Sequence, residues 1–353
     1  MQIVVYSKPF FPQMGGLERN TLTLCLALQD NGHQVHLLTE TPAEKPDDYP
    51  FRVIRTDSVL QFIRVLSGAD LLVVNGNVSM RVHPLSWLLQ IPYAVIYHNY
   101  QGYRRSGDGL GTQLGNQLRG LVARNADANV FTSTYAKNRM QLPDETAHVV
   151  LNPVDKRMQQ LYTAESENGT EEGASPFLFA GRIIEGKGIF VLARALERLD
   201  GEVNARVVIA GEGRHEERLR RQTASLRTIQ VDFPGRLSSE ALVGMYQNAR
   251  ALVVPSTTHK EGNPLVVAEA LFAGTPVIAS DQPPMVESVG DAGIIVEQGD
   301  AGALASALRT CLGNGDAYRT LRDKAGERAS NFSYERYRAR IEDVFGSAQR
   351  KDE

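Results

Sequence analysis

Short, almost continuously apolar runs recur along the chain and alternate with amphipathic stretches. In the first half we predict strands at QIVVYS, HQVHLLT, DLLVVNG, PYAVIYH, ANVFTS and AHVVLN. Such runs are typical of a parallel sheet that is covered on both faces. The stretches between them, such as LERNTLTLCLALQDNG, supply the covering helices, and Gly32 ends that stretch where a helix C-cap is expected. The pattern predicts a doubly wound α/β fold.

The alternation stops once and then restarts. Residues 163–175, TAESENGTEEGAS, are acidic and small without an apolar period, which is typical of an exposed linker or surface loop. Six more strands are predicted beyond it, at PFLFAG, ARVVIAG, IQVDFPG, ALVVPS, TPVIAS and AGIIVE, before a helical tail. A length of 353 residues also favours two domains. We expect two Rossmann-like α/β domains with a ligand in the cleft between them, because such sheets bind ligands beyond the carboxyl ends of their strands.

Composition and the start of the chain argue against several classes of protein. A net charge of −3 does not suit a nucleic-acid binder that depends on bulk electrostatics. The two cysteines, Cys25 and Cys311, lack metal-site spacing and indicate a reducing compartment. The opening MQIVVYSKPFF does not resemble a signal peptide, and no apolar run reaches the roughly 20 residues of a membrane span. We expect a cytoplasmic protein, and contact with a membrane surface stays open.

The segment GRIIEGKG, residues 181–188, has the glycine and lysine spacing of a nucleotide P-loop. It lies between a predicted strand and a predicted helix. A P-loop also needs Ser or Thr after the lysine to hold magnesium, and here that position is Gly188. The segment is therefore a basic, glycine-rich turn of another kind.

The stretch EGNPLVVAEALFAGTPVIAS, residues 261–280, follows the predicted strand ALVVPS. Asn263 is a favoured N-cap and Pro264 suits a first turn, so we predict a helix that runs to about Ala273 and ends at Gly274. The N-terminus of a helix presents unpaired N–H groups and a positive dipole end, which bind anions. The two carboxylates in this stretch suit hydroxyl groups, such as those of a sugar or a ribose.

Glu261 and Glu269, with seven residues between them, precede A-x-x-x-G-T-P-V-I-A. This block resembles the signature of the retaining GT-B glycosyltransferases of family GT4, the glycosyl transferases group 1. The resemblance implies that Glu261 contacts the hydroxyls of the donor sugar and that Glu269 binds the ribose. It also implies that the backbone from Gly262 to Leu265, which includes Asn263 and Pro264, holds the diphosphate.

The same resemblance explains the segment GRIIEGKG, which is similar to the family's GR-x4-KG. It implies that Arg182 and Lys187 hold the donor diphosphate. When the glycosidic bond breaks, charge grows on the leaving phosphate, and a guanidinium and an ammonium stabilise it. No magnesium hydroxyl is then needed at position 188.

Further residues follow from the resemblance. Gly15 and Gly16 are expected beside the diphosphate, Gly211 at a strand end of the donor side and Arg236 near the base. His98 is expected to contact the donor sugar, whereas the other six histidines show no ligand spacing. The implied domains are 1–155 on the acceptor side, 156–330 for the nucleotide sugar, and a C-terminal helix, 331–353, that crosses back to the first domain.

The implied activity is a retaining transfer of a hexose from a nucleotide diphosphate sugar to an acceptor hydroxyl, in polysaccharide, glycolipid or glycoconjugate synthesis. The acceptor is a saccharide, a lipid-linked molecule or a small molecule. The sequence lacks an Asp-x-Asp motif, so we expect no metal and no other cofactor. Three alternatives stay open: a sugar-nucleotide epimerase, a sugar-phosphate synthase and a nucleotide-sugar sensor without activity.

Residues 103–126 combine basic and apolar side chains. Leu110, Leu114, Leu118 and Leu121 recur at helical spacing, among Arg104, Arg105, Arg119 and Arg124. We expect the leucines to pack on the sheet. The alternative is that the segment meets an anionic membrane and collects a lipid-linked acceptor there.

Overall fold

The computed structural model describes residues 1–12, 15–99, 109–165, 175–313 and 315–349. Its strands are β1 (Gln2–Tyr6), β2 (Gln34–Thr39), β3 (Arg52–Arg55), β4 (Leu71–Gly76), β5 (Tyr93–Tyr97), β6 (Ala128–Phe131), β7 (Ala147–Val149), β8 (Phe177–Ala180), β9 (Ala205–Ala210), β10 (Ile229–Gly235), β11 (Ala251–Val254), β12 (Val277–Ser280) and β13 (Gly293–Val296). Its helices are α1 (Gly16–Asp30), α2 (Val59–Leu66), α3 (His83–Leu88), α4 (Leu110–Arg124), α5 (Thr134–Met140), α6 (Lys156–Glu165), α7 (Ile189–Leu199), α8 (Glu216–Thr223), α9 (Ser239–Asn248), α10 (Leu265–Phe272), α11 (Pro283–Val289), α12 (Ala301–Leu312), α13 (Asp316–Ala329) and α14 (Tyr334–Gln349).

The chain divides into two compact units. Residues 1–155 and 334–353 form the first, and Lys156–Ser333 form the second. Each unit has its own parallel sheet, with the order β3-β2-β1-β4-β5-β6-β7 in the first and β10-β9-β8-β11-β12-β13 in the second. The predicted doubly wound class is confirmed in both halves.

Each sheet reverses its direction of winding once. The reversal lies between β1 and β4 in the first unit and between β8 and β11 in the second. At such a point the two connecting loops diverge to opposite faces of the sheet and leave a crevice at the carboxyl ends of the strands, where ligands bind. The two reversal points therefore mark the places to look for a site.

Helices cover both faces of the first sheet. Successive residues of β1 point to opposite faces, so Ile3 and Val5 pack under α1 and α14 while Val4 and Tyr6 pack under α2 to α5. The helix α14 buries Tyr337, Ile341 and Phe345 against the first unit although it follows the whole second unit in sequence. The predicted return of the C-terminal helix is confirmed.

The sequence analysis missed one strand. The strand β3 reads RVIR, pairs with β2 and lies at the edge of the first sheet. Its pattern is short and mixed because Arg52 is exposed and its other residues are half-buried. A search for continuous apolar runs finds buried central strands and passes over such an edge.

The second unit is built in the same way, with α7 and α12 packed on one face of its sheet through residues such as Leu196 and Leu308. The predicted loop at 163–175 lies mostly outside the described residues, although α6 extends through Glu165. In the described ranges no helix combines the length and the apolar character that crossing a membrane requires. No group of three or more His, Cys, Asp or Glu side chains in those ranges is placed to hold a metal ion.

Candidate functional site

The loops that follow β8 and β11 meet at the reversal point of the second sheet. The first loop carries GRIIEGKG, and the second carries Pro255 to Pro264. Backbone hydrogen bonds join them, because the N–H groups of Thr257 and His259 both donate to the carbonyl of Gly186, at 2.9 and 3.1 Å. The structure thus brings together the two segments that the sequence analysis singled out separately.

Gly188 is required by the backbone at this junction. Its φ of 74° lies in the left-handed region, and a Cβ atom there would lie 1.7 Å from the carbonyl oxygen of Pro255. A serine or threonine at this position would therefore collide with the end of β11. The missing P-loop hydroxyl has a steric explanation, since α7 begins at Ile189 directly against that strand end.

Lys187 and Glu261 form an ion pair within this cluster. The Lys187 Nζ lies 2.6 Å from Glu261 Oε1, and the two side chains are 17% and 7% exposed. Ser256 Oγ donates to the same carboxylate oxygen at 2.8 Å. The backbone N–H of Glu261 donates to Gln282 Oε1 at 3.0 Å. Lys187 and Ser256 thus hold the Glu261 carboxylate, and Gln282 holds its backbone.

Arg182 differs from Lys187 in having no partner. Its side chain is exposed, and within the described residues its guanidinium has neither a hydrogen bond nor an ion pair. It therefore remains available to an anion at the carboxyl end of β8.

His259 was not selected from the sequence, yet it belongs to this cluster. Burial lowers its pKa from the ordinary value, and the positive charges of Lys187 and Arg182 lower it further against the opposing effect of Glu261. The imidazole is therefore neutral at pH 7. It stands two residues before Glu261 in the sequence, but only the fold shows that it also lies near Lys187 and Arg182.

The helix α10 begins one residue later than predicted. Pro264 takes the cap position with an extended ψ of 128°, so the first helical residue is Leu265. The prediction that Asn263 caps the helix is wrong, because its amide turns inward and donates to Ser288 Oγ at 2.7 Å. The helix ends at Phe272, and Gly274 follows with a φ of 71°, as predicted.

Glu269 lies on α10 and is only 1% exposed. Its Oε2 accepts a hydrogen bond from the Tyr246 hydroxyl at 2.7 Å, and its backbone carbonyl accepts one from the Tyr162 hydroxyl at 3.0 Å. The carboxylate is therefore oriented by α9, while α6 closes over the backbone of α10.

Gly211 follows β9, which is next to β8, and Arg236 follows β10, one strand further out. Gly211 has a φ of 142°, and a Cβ there would lie 1.9 Å from the carbonyl of Gly181, so close packing of strand ends requires this glycine. Arg236 follows β10 and is about half exposed, 4.0 Å from the Glu212 carboxylate. A role for either residue toward a nucleotide stays a prediction.

In the first unit, Gly15 and Gly16 lie at the start of α1, with Gly15 as an extended cap residue. His98 follows β5, and its Nε2 lies 2.7 Å from Asn75 Oδ1 at the end of β4. Burial lowers the pKa of His98 to about 4, so its ring is neutral at pH 7.

The expectation that the leucines of α4 pack on the sheet is wrong. Leu110, Leu114, Leu118 and Leu121 are 86%, 59%, 45% and 53% exposed. The helix instead buries its small residues, Gly120 and Ala123. Arg104 and Arg105 lie outside the described residues.

Two family profiles match the sequence. The profile described as "Glycosyl transferases group 1" matches residues 163–331, and "Glycosyltransferase Family 4" matches residues 14–157. Together they span both units.

Individual relatives cover most of the chain. Glycogen synthase of Mycobacterium tuberculosis is 25% identical over 99% of this chain and 95% of that protein. Alpha-monoglucosyldiacylglycerol synthase of Streptococcus pneumoniae is 23% identical over 82% of this chain and 74% of that protein.

Solved structures share the fold. Sucrose-phosphate synthase from Thermosynechococcus elongatus has a TM-score of 0.76 at 22% identity, covering 98% of both chains. Anabaena HepE in complex with UDP-glucose has a TM-score of 0.75 at 17% identity, covering 98% of this chain and 100% of that one. At these identities the likeness concerns the fold alone.

Proposed function

The chain belongs to the group 1 glycosyltransferases of the GT-B fold, and on that premise we propose that it moves a hexose from a nucleotide diphosphate sugar to an acceptor hydroxyl with retention of the anomeric configuration. One observation carries this proposal. At the reversal point of the second sheet, two joined loops hold a lysine–carboxylate pair, a helix N-terminus and an arginine that is unpaired among the described residues.

Each part of this cluster has a proposed task. Arg182, which is exposed, binds the donor diphosphate, and Lys187 shares its charge between Glu261 and the phosphate oxygens. The free N–H groups of the first turn of α10 add hydrogen bonds to the same anion. Glu261 accepts hydrogen bonds from the hydroxyls of the sugar. Glu269, oriented by Tyr246, is the proposed ribose ligand.

The proposed reaction runs on one face of the sugar. The bond between the anomeric carbon and the diphosphate oxygen breaks, and both electrons stay with the leaving phosphate. The acceptor oxygen bonds to the same face and gives its proton to that phosphate. Arg182 and Lys187 stabilise the charge as it develops, so the step needs no nucleophile from the protein and no metal.

UDP-glucose is the first donor to test, because HepE, which shares the fold, was solved with it. We propose to screen UDP, GDP and ADP sugars by thermal shift, since a ligand of the native state raises the melting temperature. The hits are then incubated with saccharide and lipid acceptors in EDTA, and the anomer of the product is read by NMR. Product with an inverted anomeric centre, or complete loss of activity in EDTA that a divalent ion restores, would contradict the proposal.

The same assay separates the alternatives. An epimerase consumes the donor and releases free sugar without an acceptor. A sugar-phosphate synthase requires a phosphorylated acceptor. A sensor shows a thermal shift with a nucleotide sugar but no turnover with any acceptor.

We further propose that the first unit contacts an anionic membrane surface, which would present a lipid acceptor. Nine of the ten exposed large apolar side chains in the described ranges lie between Val59 and Leu121, on or beside α2, α3 and α4. These helices cover one face of the first sheet. The patch includes Leu60 and Trp87, which are 80% and 69% exposed. The relative from Streptococcus pneumoniae, a glucosyldiacylglycerol synthase by name, supports a lipid acceptor.

A further inference from the structure

A chain of buried polar side chains lies beneath the carboxyl ends of β1, β4 and β5 in the first unit. Ser7, Asn20, Thr21 and Asn75 are at most 3% exposed. Asn75 joins them to His98 at the end of β5. Buried polar groups are destabilising unless they are hydrogen-bonded. In each of these contacts one group must therefore donate a proton and the other must accept it.

Backbone carbonyls decide which groups donate and which accept along this series of hydrogen bonds. The Thr21 hydroxyl lies 2.8 Å from the carbonyl of Leu17, which can only accept, and 3.0 Å from Ser7 Oγ, which gives its own proton to the carbonyl of Pro9 at 3.0 Å. The single Thr21 proton therefore goes to one of these two acceptors. Thr21 Oγ1 then presents lone pairs to Asn75, whose Nδ2 lies 2.9 Å away and must be the donor. Asn75 Oδ1 is left facing His98 Nε2 at 2.7 Å. An amide oxygen cannot donate, so His98 Nε2 carries the proton.

Asn20 supports the same orientation by a second route. Its Nδ2 donates to Asn152 Oδ1 at 2.9 Å, which turns its own Oδ1 toward Asn75 Nδ2 at 3.4 Å. If the Asn75 amide were reversed, two acceptor oxygens would face each other in a buried place. The reversed state would also require Thr21 to turn its proton away from both the carbonyl of Leu17 and Ser7 Oγ.

We propose that Asn75 and Thr21 are positioning residues that hold His98 as the Nε2–H tautomer, with the Nδ1 lone pair offered to a hydroxyl group of the ligand. Within the described residues Nδ1 has no hydrogen-bond partner. A bare ring nitrogen accepts from a hydroxyl and repels a phosphate, so the ligand group beside it is an alcohol and not an anion. That this alcohol belongs to the transferred sugar rests on the proposed function.

The tautomer is measured on the full chain without any ligand. In protein labelled with ¹⁵N-histidine, long-range proton–nitrogen spectra distinguish a protonated ring nitrogen from a bare one, and His98→Gln identifies the His98 signals. We expect Nε2 protonated and Nδ1 bare at pH 7. Thr21→Val should mix the two tautomers, because Asn75 then loses the nearer of its two acceptors and keeps the longer contact to Asn20 Oδ1 at 3.4 Å.

Thr23→Val is the matched control. Thr23 lies one half-turn further along α1, is buried, and makes the same kind of bond to a carbonyl, that of Arg19 at 3.0 Å, without touching Asn75. It should leave the His98 spectrum unchanged. A wild-type ring with the proton on Nδ1, or a Thr21→Val spectrum identical to that of wild type, overturns the positioning role.

The hydroxyl is tested by calorimetry with UDP-glucose and with UDP. Thr21→Val should weaken UDP-glucose binding about three- to tenfold, the range of one hydrogen bond, and leave UDP within about twofold. Equal losses for both ligands overturn the hydroxyl assignment. If wild type binds neither, the proposed donor and the hydroxyl assignment fall together, whereas the ligand-free spectra still decide the tautomer.

Discussion

Lys187 and Glu261 form an ion pair, although the sequence pattern assigns them to different parts of the donor. Lys187 is expected to bind the diphosphate and Glu261 the sugar hydroxyls. Without a donor each compensates the charge of the other in a largely buried place. A donor that binds there must therefore take over part of the lysine's charge without leaving Glu261 uncompensated. Arg182, exposed and unpaired among the described residues, carries no such constraint.

This difference predicts distinct effects of two substitutions. Lys187→Ala should lower the unfolding free energy by about 3 kcal/mol, because it strands a buried carboxylate. Arg182→Ala should change it by less than about 0.5 kcal/mol. Both should lower turnover about 100-fold or more if they stabilise the leaving phosphate. Urea unfolding and initial rates measure the two quantities.

The double variant Lys187→Ala with Glu261→Gln serves as control. It should recover part of the stability and none of the turnover, since the carboxylate charge is gone. Turnover near that of wild type in either single variant would remove the leaving-group assignment.

Gly188→Ser introduces the hydroxyl of a P-loop, and we expect it to destabilise the protein. The unfolding free energy should fall by more than about 3 kcal/mol, since the overlap with Pro255 adds to the roughly 1–2 kcal/mol of a left-handed residue with a side chain. Gly274→Ala is the matched control, because its φ is also about 71° but no atom lies within 4 Å of its Cβ. Similar losses in both variants would show that the contact with Pro255 is unimportant.

His83 predicts a dependence of stability on pH. It is 3% exposed, neither ring nitrogen has a partner among the described residues, and burial lowers its pKa to about 3. The unfolded chain binds a proton near pH 6.5 and the folded chain does not, so stability is complete above that pH and declines as the pH falls toward 3. At pH 5 the loss from this residue is about 2 kcal/mol.

His83→Phe should remove this loss, because a phenyl ring keeps the contact with Tyr93 and does not titrate. The variant should gain stability over wild type at pH 5 and much less at pH 8, as measured by chemical unfolding. His215→Phe, at a less buried histidine of the second unit, is the comparison. An equal gain at both pH values would contradict the titration.

The site residues that belong to motifs could be predicted from the sequence. The residues that orient them in the fold could not. Arg182, Lys187 and Glu261 stand in patterns that chemistry explains. Ser256, in the same loop, contacts the Glu261 carboxylate, and Gln282, beyond β12, holds its backbone N–H, and no local pattern announces either residue. Their roles arise only when β11 and β12 lie side by side.

Among the elements, the apolar strands were predictable, whereas the edge strand β3 and the inward face of α4 were not. Central strands are apolar on both faces, which the sequence displays directly, but β3 is half exposed. The leucines of α4 have a helical period, and the period does not say which face is inward. Gly120 and Ala123 decide it, because small residues let the helix approach the sheet.

The exposed face of α4 predicts weak binding to anionic vesicles. In co-sedimentation, wild type should bind vesicles that contain anionic lipid, and less as salt rises, since apolar and basic contributions combine. Leu114→Ser with Leu118→Ser should lower the bound fraction severalfold. Val286→Ser, at an exposed apolar residue of the second unit, should not. Equal recovery of wild type in the supernatant with neutral and anionic vesicles at low salt would end the proposal.

At the scale of the whole molecule, the second unit is an insertion into the first. It is continuous in sequence, while the first unit needs residues from both sides of it. The sequence predicted two sheets from two sets of strands. It could not by itself show the burial of α14, whose apolar positions fit any sheet, and the resemblance supplied that expectation.

Truncation after Ser333 should therefore damage the first unit selectively. It removes Tyr337, Ile341 and Phe345, which are at most 5% exposed, and uncovers one face of the first sheet. Hydrogen exchange should accelerate in β1 and α1 and stay near wild-type rates in β8 and β11. Truncation after Gln349 is the control. Equal acceleration in both units would contradict the division.

The position of α14 also affects how the protein folds during its synthesis on the ribosome. The first strands leave the ribosome early, but the helix that covers them is separated from residue 155 by about 180 residues, the whole of the second unit. At roughly 5–20 residues per second, that delay is on the order of 10 to 40 seconds. During this interval the second unit can fold on its own. One apolar face of the first unit stays uncovered until α14 has been translated.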